Sequence, residues 1–253
     1  MISDGFIAFR HFEESERQSQ RHALSGSKRA LELRGTTNED DKEGQVLKKG
    51  ILIKPLGITR AQPALFISHG SPIMAVQQSL TSDFLKTLGK SLNTPRAIVI
   101  FSAHFDMAHD EAAHNIVITA GQAPETIHDF YNFPAHMYNI KYPAPGHPEL
   151  AGNIATLFKN KGITAILDER QGWDHGVWIP LRLMYPQANI PIVQVSINTQ
   201  LGAKAMYEYG QLLAPLRDDN ILIIGSGGIS HNLREVFKTP PTPNRVQMVK
   251  AFT

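Results

Sequence analysis

Four histidines carry the chemistry open to this sequence. His69 stands in ALFISHGSP, His104 in AIVIFSAHF and His231 in ILIIGSGGISHNL, each at or just beyond the end of a short apolar run. His175 stands in GWDHGVW, ahead of a stretch with helical spacing. A neutral imidazole has one nitrogen with a lone pair and one with a proton. It can therefore ligate iron, zinc or copper, or carry a proton near neutral pH. A single histidine after a strand is most often a hydrogen-bonded structural residue. Three at strand ends, each beside serine, alanine or glycine, leave room for a ligand at the ring and read together as one metal site. His128, His136 and His147 fall in an aromatic loop, where the last two read as supporting or surface residues. His109 and His114 read as surface residues, and nothing places His11 or His22. Asp174 could orient an imidazole, but the simpler reading is a helix cap.

Histidines this far apart meet only if the fold gathers strand ends at one edge. In a mostly parallel α/β sheet the carboxyl ends of the strands face a common crevice. Apolar runs predict strands at Ala64 to Ser68, Arg96 to Ala103, Asn115 to Thr119, Ile163 to Leu167, Ile190 to Ile197 and Ile221 to Ser226. Helical spacing covers Thr81 to Leu92, with Thr81 or Ser82 as cap, and Glu149 to Asn160. It also covers Val177 to Tyr185, with Pro180 in the first turn, and Ala203 to Leu216. The alternation predicts a single α/β domain: a mainly parallel central sheet flanked by helices, with the metal site at the strand C-terminal ends. Between them lies a long aromatic loop, Thr126 to Pro148. Loops of that length are often binding loops. Its Phe130, Tyr131, Phe133 and Tyr138 could wall a flat ring or simply pack in the core. GSGG at 225–228 lacks the spacing of a dinucleotide or P-loop fingerprint. It reads as a tight turn that lets backbone pass close to a metal or substrate.

Composition narrows the chemistry further. The 253 residues contain no cysteine, which excludes a thiolate nucleophile, a disulfide scaffold and any cysteine-based zinc or iron–sulfur site. A formal net charge of +2 argues against a nucleic-acid surface. No apolar stretch approaches the roughly 20 residues of a membrane span, and no secretory signal is present, so a cytoplasmic protein is expected. Residues 1–60 hold 20 of the 48 charged side chains and little apolar periodicity. They are expected to form a disordered extension, with a short helix around Ala23 to Leu33. The folded domain is expected over 61–253. After Arg234 the chain runs through TPPTPNR to VQMVKAFT without completing an element, so the C-terminal end reads as incomplete.

Several motifs occur in a telling order: SHGSP, FSAHF, IHDFYNFP followed by YPAPGHPELA, GWDHGVWIPLRLMYP, PIVQVSIN and GSGGISHNLRE. Together, over about Pro63 to Glu235, they resemble the DOPA-4,5-dioxygenase-like branch of the class III extradiol ring-cleavage dioxygenases. The resemblance implies an enzyme that opens a catechol-type ring with O₂ at a non-haem metal, Fe(2+) or Zn(2+), one ion per chain. It implies His69 and His104 as metal ligands. It implies His231 at the metal, as a ligand in this branch and as acid/base in related ones. His175 matches an active-site histidine facing substrate and oxygen. Members of this branch continue with a helical segment and an HPT-like histidine motif that has no counterpart here, and residues 1–60 match nothing in them. Two other readings stand beside this one. A histidine-rich zinc site could activate water for hydrolysis, or the chain could be a truncated, non-catalytic member of the family.

Overall fold

Isoleucine and valine dominate the six strands, as expected of a sheet covered on both faces. The computed structural model describes residues 61–108 and 116–228. The expectations for residues 1–60, for His109 and His114, and for His231 with the rest of 229–253 lie outside the described residues. The strands are β1 (Ala64–Ser68), β2 (Ala97–Asp106), β3 (Ile116–Thr119), β4 (Ala165–Asp168), β5 (Ile192–Ile197) and β6 (Ile221–Gly227). They lie in the order β1-β6-β2-β5-β3-β4. The first four in that order run parallel, β3 runs antiparallel to β5, and β4 is parallel to β3. The carboxyl ends of β1, β6, β2 and β5 therefore share one edge, the crevice that the mainly parallel sheet was expected to supply.

Among the described residues four α-helices cover the sheet: α1 (Leu80–Ser91), α2 (Pro148–Lys159), α3 (His175–Met184) and α4 (Gly202–Leu213). Side-chain alternation sorts the core into two layers. On one face Ile98, Ile100, Leu222 and Ile224 pack with Leu85 and Leu88 of α1 and with Val177, Trp178 and Leu181 of α3. On the other, Val99, Val193, Val195, Ile221 and Ile223 pack with Leu150, Ile154 and Phe158 of α2 and with Tyr209 and Leu213 of α4. Full burial of each such side chain stabilises the fold by roughly 1.5–3 kcal/mol. Among the described residues, no helix is long and apolar enough to cross a membrane.

Several boundaries differ from the sequence reading. The cap of α1 is Ser79, whose hydroxyl accepts from Ser82 N–H while the Ser82 hydroxyl accepts from Ser79 N–H. Ser82 is thus the far half of a capping box, and neither it nor Thr81 is the cap. Helix α3 begins at His175 because Asp174 caps it through the Gly176 N–H. Pro180 consequently sits inside the helix and not in its first turn. Strand β2 runs on past Ala103 through His104 to Asp106. Strand β6 runs one residue past its expected end, so Gly227 is a strand residue where the sequence pointed only to a turn.

The long loop is held by two tryptophans. Trp173 exchanges backbone hydrogen bonds with Glu125 and Ile127, both 2.8 Å, and its indole N–H donates to Ala144 O. The Trp178 indole donates to Ile127 O at 2.9 Å. Both tryptophans are fully buried.

Candidate metal centre

His69 directly follows β1, and His104 lies near the end of β2. Strand β6 runs between these two strands. With strands about 4.8 Å apart, the two backbones stand roughly 10 Å from one another, so both rings must reach across the end of β6. A bulge makes this possible for His104. Phe101 pairs with Val195 and Asp106 with Ile197, so β2 takes five steps where β5 takes two. His104 lies in that surplus, where a bulge re-aims a side chain.

The rings meet above the end of β6. His69 Nε2 and His104 Nε2 are 3.0 Å apart. The His175 ring centroid stands 3.9 Å from that of His104 and 5.2 Å from that of His69. Each of the three residues offers a ring nitrogen within 4.8 Å of the others. Two imidazole nitrogens that close cannot both present lone pairs to each other unaided: either one ring donates its N–H to the other or a metal ion is shared by both. Zinc binds imidazole nitrogen at about 2.0–2.1 Å, so one ion can hold two such nitrogens up to about 4 Å apart. The facing pair falls inside that span, and the donor set fits a borderline divalent ion.

His175 is fixed by a residue the sequence reading passed over. Its backbone N–H donates to Asp129 Oδ1 and its ring Nδ1 donates to Oδ2, each at 2.9 Å. The same Oδ2 lies 3.6 Å from His104 Nδ1. Burial opposes ionisation of Asp129, but its hydrogen bonds and charge interaction with His175 outweigh it and hold the carboxyl below the usual carboxylate range. With Nδ1 protonated toward Asp129, the lone pair of His175 is on Nε2. The site is open on this side: the side chains of His104 and Asp129 are 26% and 25% exposed, while that of His175 is 7% exposed.

Beneath the rings lies a buried polar layer. Asp174 Oδ1 accepts from Ser102 Oγ at 2.7 Å and from Gly176 N at 2.8 Å, and Oδ2 accepts from Gln194 Nε2 at 2.5 Å. Asp174 is therefore the helix cap, and burial pushes its carboxyl above the usual range. His69 Nδ1 lies 2.9 Å from Ser226 Oγ. The first turn of α3 presses close on this layer. A Cβ on Gly176 would sit 2.4 Å from Ser102 Oγ and 3.0 Å from His69 Nδ1, so only glycine fits there.

The remaining candidates lie apart from the cluster. His128 Nε2 donates to Ile140 O at 3.0 Å, His136 is exposed, and His147 Nδ1 caps α2 by accepting from Leu150 N. Of the loop aromatics, Phe130 is buried and meets His175 edge-on with centroids 6.0 Å apart. Phe133 and Tyr138 pack against the core beside it, whereas Tyr131 is 81% exposed.

Residues 63–247 match the family described as the catalytic LigB subunit of aromatic ring-opening dioxygenase. The chain belongs to this family. The match spans all four candidate histidines, and it agrees with the class III extradiol resemblance of the motifs. The LigB-family chain is 44% identical over 170 residues to 4,5-DOPA dioxygenase extradiol of Beta vulgaris, covering 66% of this chain and 61% of that one. It is 43% identical over 175 residues to 4,5-DOPA dioxygenase extradiol of Escherichia coli (strain K12), covering 69% and 62%. Among solved structures it is similar to uncharacterized protein JW3007 of Escherichia coli K12, with a TM-score of 0.54 and 34% identity over 70% of this chain and 66% of that one. The chain thus spans a little over three fifths of the length of these two dioxygenase relatives.

Proposed function

We propose that this chain is an extradiol dioxygenase that opens a catechol-type, DOPA-like ring with O₂ at one divalent metal ion. The observation that carries the reading is the pair of imidazole nitrogens, His69 Nε2 and His104 Nε2, facing each other at 3.0 Å beside His175. The names of its LigB-family relatives support the substrate class. His69 and His104 are assigned as ligands, with His231 as the third. Iron suits the chemistry better than zinc, which has no redox states to share with O₂. When bound, Fe(2+) would supply open coordination positions for the catechol oxygens and O₂.

His175 is assigned as the acid/base. Its Nδ1–H is anchored on Asp129, so Nε2 can take a catechol proton and later return one, and the Asp129 carboxylate steadies the ring while it is charged. Substrate would enter past His104 and Asp129, the open side. In this reading residues 61–253 form the catalytic domain and residues 1–60 stand outside it.

The closeness of His175 to the facing pair favours a second reading, in which it is the third ligand and Asp129 orients it. Replacing it decides between them. His175→Gln should keep the metal and lose turnover by on the order of 10²- to 10⁴-fold, the usual contribution of general acid–base catalysis. Loss of metal as complete as in His69→Ala makes His175 a ligand. The assay is aerobic, with a catechol and added Fe(2+), and follows the yellow ring-opened product. Ester or amide cleavage with zinc and no catechol product would replace the dioxygenase by a hydrolase. Neither activity from a cooperatively melting protein would point to a non-catalytic member.

A further inference from the structure

Pro180 lies inside α3, at a position where a helix normally continues its ladder. The N–H of residue 180 would donate to the carbonyl of Gly176, four residues earlier. Proline has no N–H, so that carbonyl receives no bond from position 180. It receives one from outside the helix: Ser226 Oγ, on β6, donates to Gly176 O at 2.5 Å. Ser226 is 2% exposed, so water does not compete for the bond.

A serine hydroxyl has a single hydrogen. With that hydrogen committed to Gly176 O, Ser226 Oγ can only accept from His69 Nδ1, 2.9 Å away. His69 must then carry its proton on Nδ1, and its Nε2 presents a lone pair toward His104. The direction of the whole relay, from His69 Nδ1–H through Ser226 O–H to Gly176 C=O, is set at its far end by the missing N–H of a proline.

We infer that Ser226 and Pro180 are positioning residues that lock His69 in the Nδ1–H tautomer and so keep Nε2 ready for a metal ion. The inference rests on the metal site proposed above, but its first consequence does not need the metal. In chelator-treated, full-length protein, ¹⁵N chemical shifts of the imidazoles report each tautomer directly. His69 is expected as Nδ1–H. In Ser226→Ala it should lose that fixed tautomer, and in Ser226→Thr, which keeps the hydroxyl, it should retain it. Pro180→Ala supplies an N–H that competes with Ser226 for Gly176 O, and should loosen the tautomer less than Ser226→Ala does. Titration with Zn(2+) should show affinity weakened about 10–100-fold in Ser226→Ala, the usual effect of losing a partner that orients a ligand. Pro180→Ala should fall between that variant and the parent protein.

A purely structural role for Ser226 would lower the melting temperature and leave the His69 tautomer alone. His69 found as Nε2–H in the parent protein overturns the inference, and so does an unchanged Nδ1–H in Ser226→Ala. An effect of Ser226→Ala with none from Pro180→Ala overturns the part assigned to the proline. If the tautomers behave as expected but no variant and no parent protein binds metal, the relay stands and the metal assignment fails.

Discussion

Asp129→Asn isolates the partner that holds His175. The substitution conserves shape and changes one acceptor oxygen into an NH₂ donor. Asp129 accepts twice from His175. The asparagine oxygen can keep the backbone bond at Oδ1, so the ring bond at Oδ2 is the one at stake. There the new NH₂ faces the Nδ1–H, donor against donor. The ring relieves this by moving its proton to Nε2, which then has no lone pair for a catechol proton or a metal. A hydrogen bond to a charged acceptor contributes roughly 1.5–3 kcal/mol. At about 1.4 kcal/mol per tenfold, losing that preference lowers the useful tautomer about 10- to 100-fold. The same exchange in the serine-protease triad yields the wrong tautomer and a large loss of rate. Turnover of a catechol should therefore fall at least about tenfold, with little change in melting temperature, because the carboxylate is partly solvated. Metal-free ¹⁵N spectra should show His175 shifting from Nδ1–H to Nε2–H. Turnover within about twofold of the parent, or a His175 that keeps Nδ1–H, would refute the reasoning.

Other outcomes follow from the same geometry. His69→Ala and His104→Ala should each lose most bound metal while melting cooperatively, since both rings stand at strand ends, outside the two apolar layers; elemental analysis showing full metal in both would remove the site. Gly89→Ala, inside α1, would ordinarily gain about 1 kcal/mol from helix propensity. Here the added Cβ would lie 2.2 Å from the Met184 carbonyl oxygen, so overpacking should instead cost roughly 1–3 kcal/mol in a denaturant titration. Deleting residues 1–60, a stretch of high charge and little apolar pattern, should leave the melting temperature essentially unchanged, and a drop of many degrees would show that the segment packs on the domain.

The strands were legible because a sheet covered on both faces demands unbroken apolar runs, and AIVIF and ILII are such runs. Ala64–Ser68 matches its predicted bounds. Convergence of His69 and His104 was also legible, since parallel strands deliver their ends to one edge. What escaped were features decided by hydrogen bonds between distant parts. His175 and Asp129 are 46 residues apart, and only the tryptophan-anchored course of the loop brings them together. The one local signal for Asp129 was an acidic side chain in a histidine-bearing aromatic loop. The extension of β2 through His104 escaped because SAHF has no apolar continuity, and the bulge that re-aims it depends on β5. The interior position of Pro180 escaped because a proline usually marks a first turn, whereas here Asp174 caps a helix whose first residue, His175, lies five positions before the proline.

The place of β6 between β1 and β2 has a consequence for how the protein comes to exist. Among the described residues β1 pairs with β6 alone, and β6 begins more than 150 residues later in the chain. As the chain emerges from the ribosome, β1 must wait, unpaired, for almost the whole of this sheet to be synthesised. The edge of β2 that will receive β6 waits with it. Contacts of such long range form late and slowly, and unpaired apolar edges expose an intermediate to aggregation. Because His69 and His104 sit on either side of that gap, they cannot be brought into register until β6 closes it. Convergence of His69 and His104 and closure of the sheet by β6 are then a single event. A chaperone that shields the β1 and β2 edges would raise the yield of correctly assembled sites and total soluble protein together.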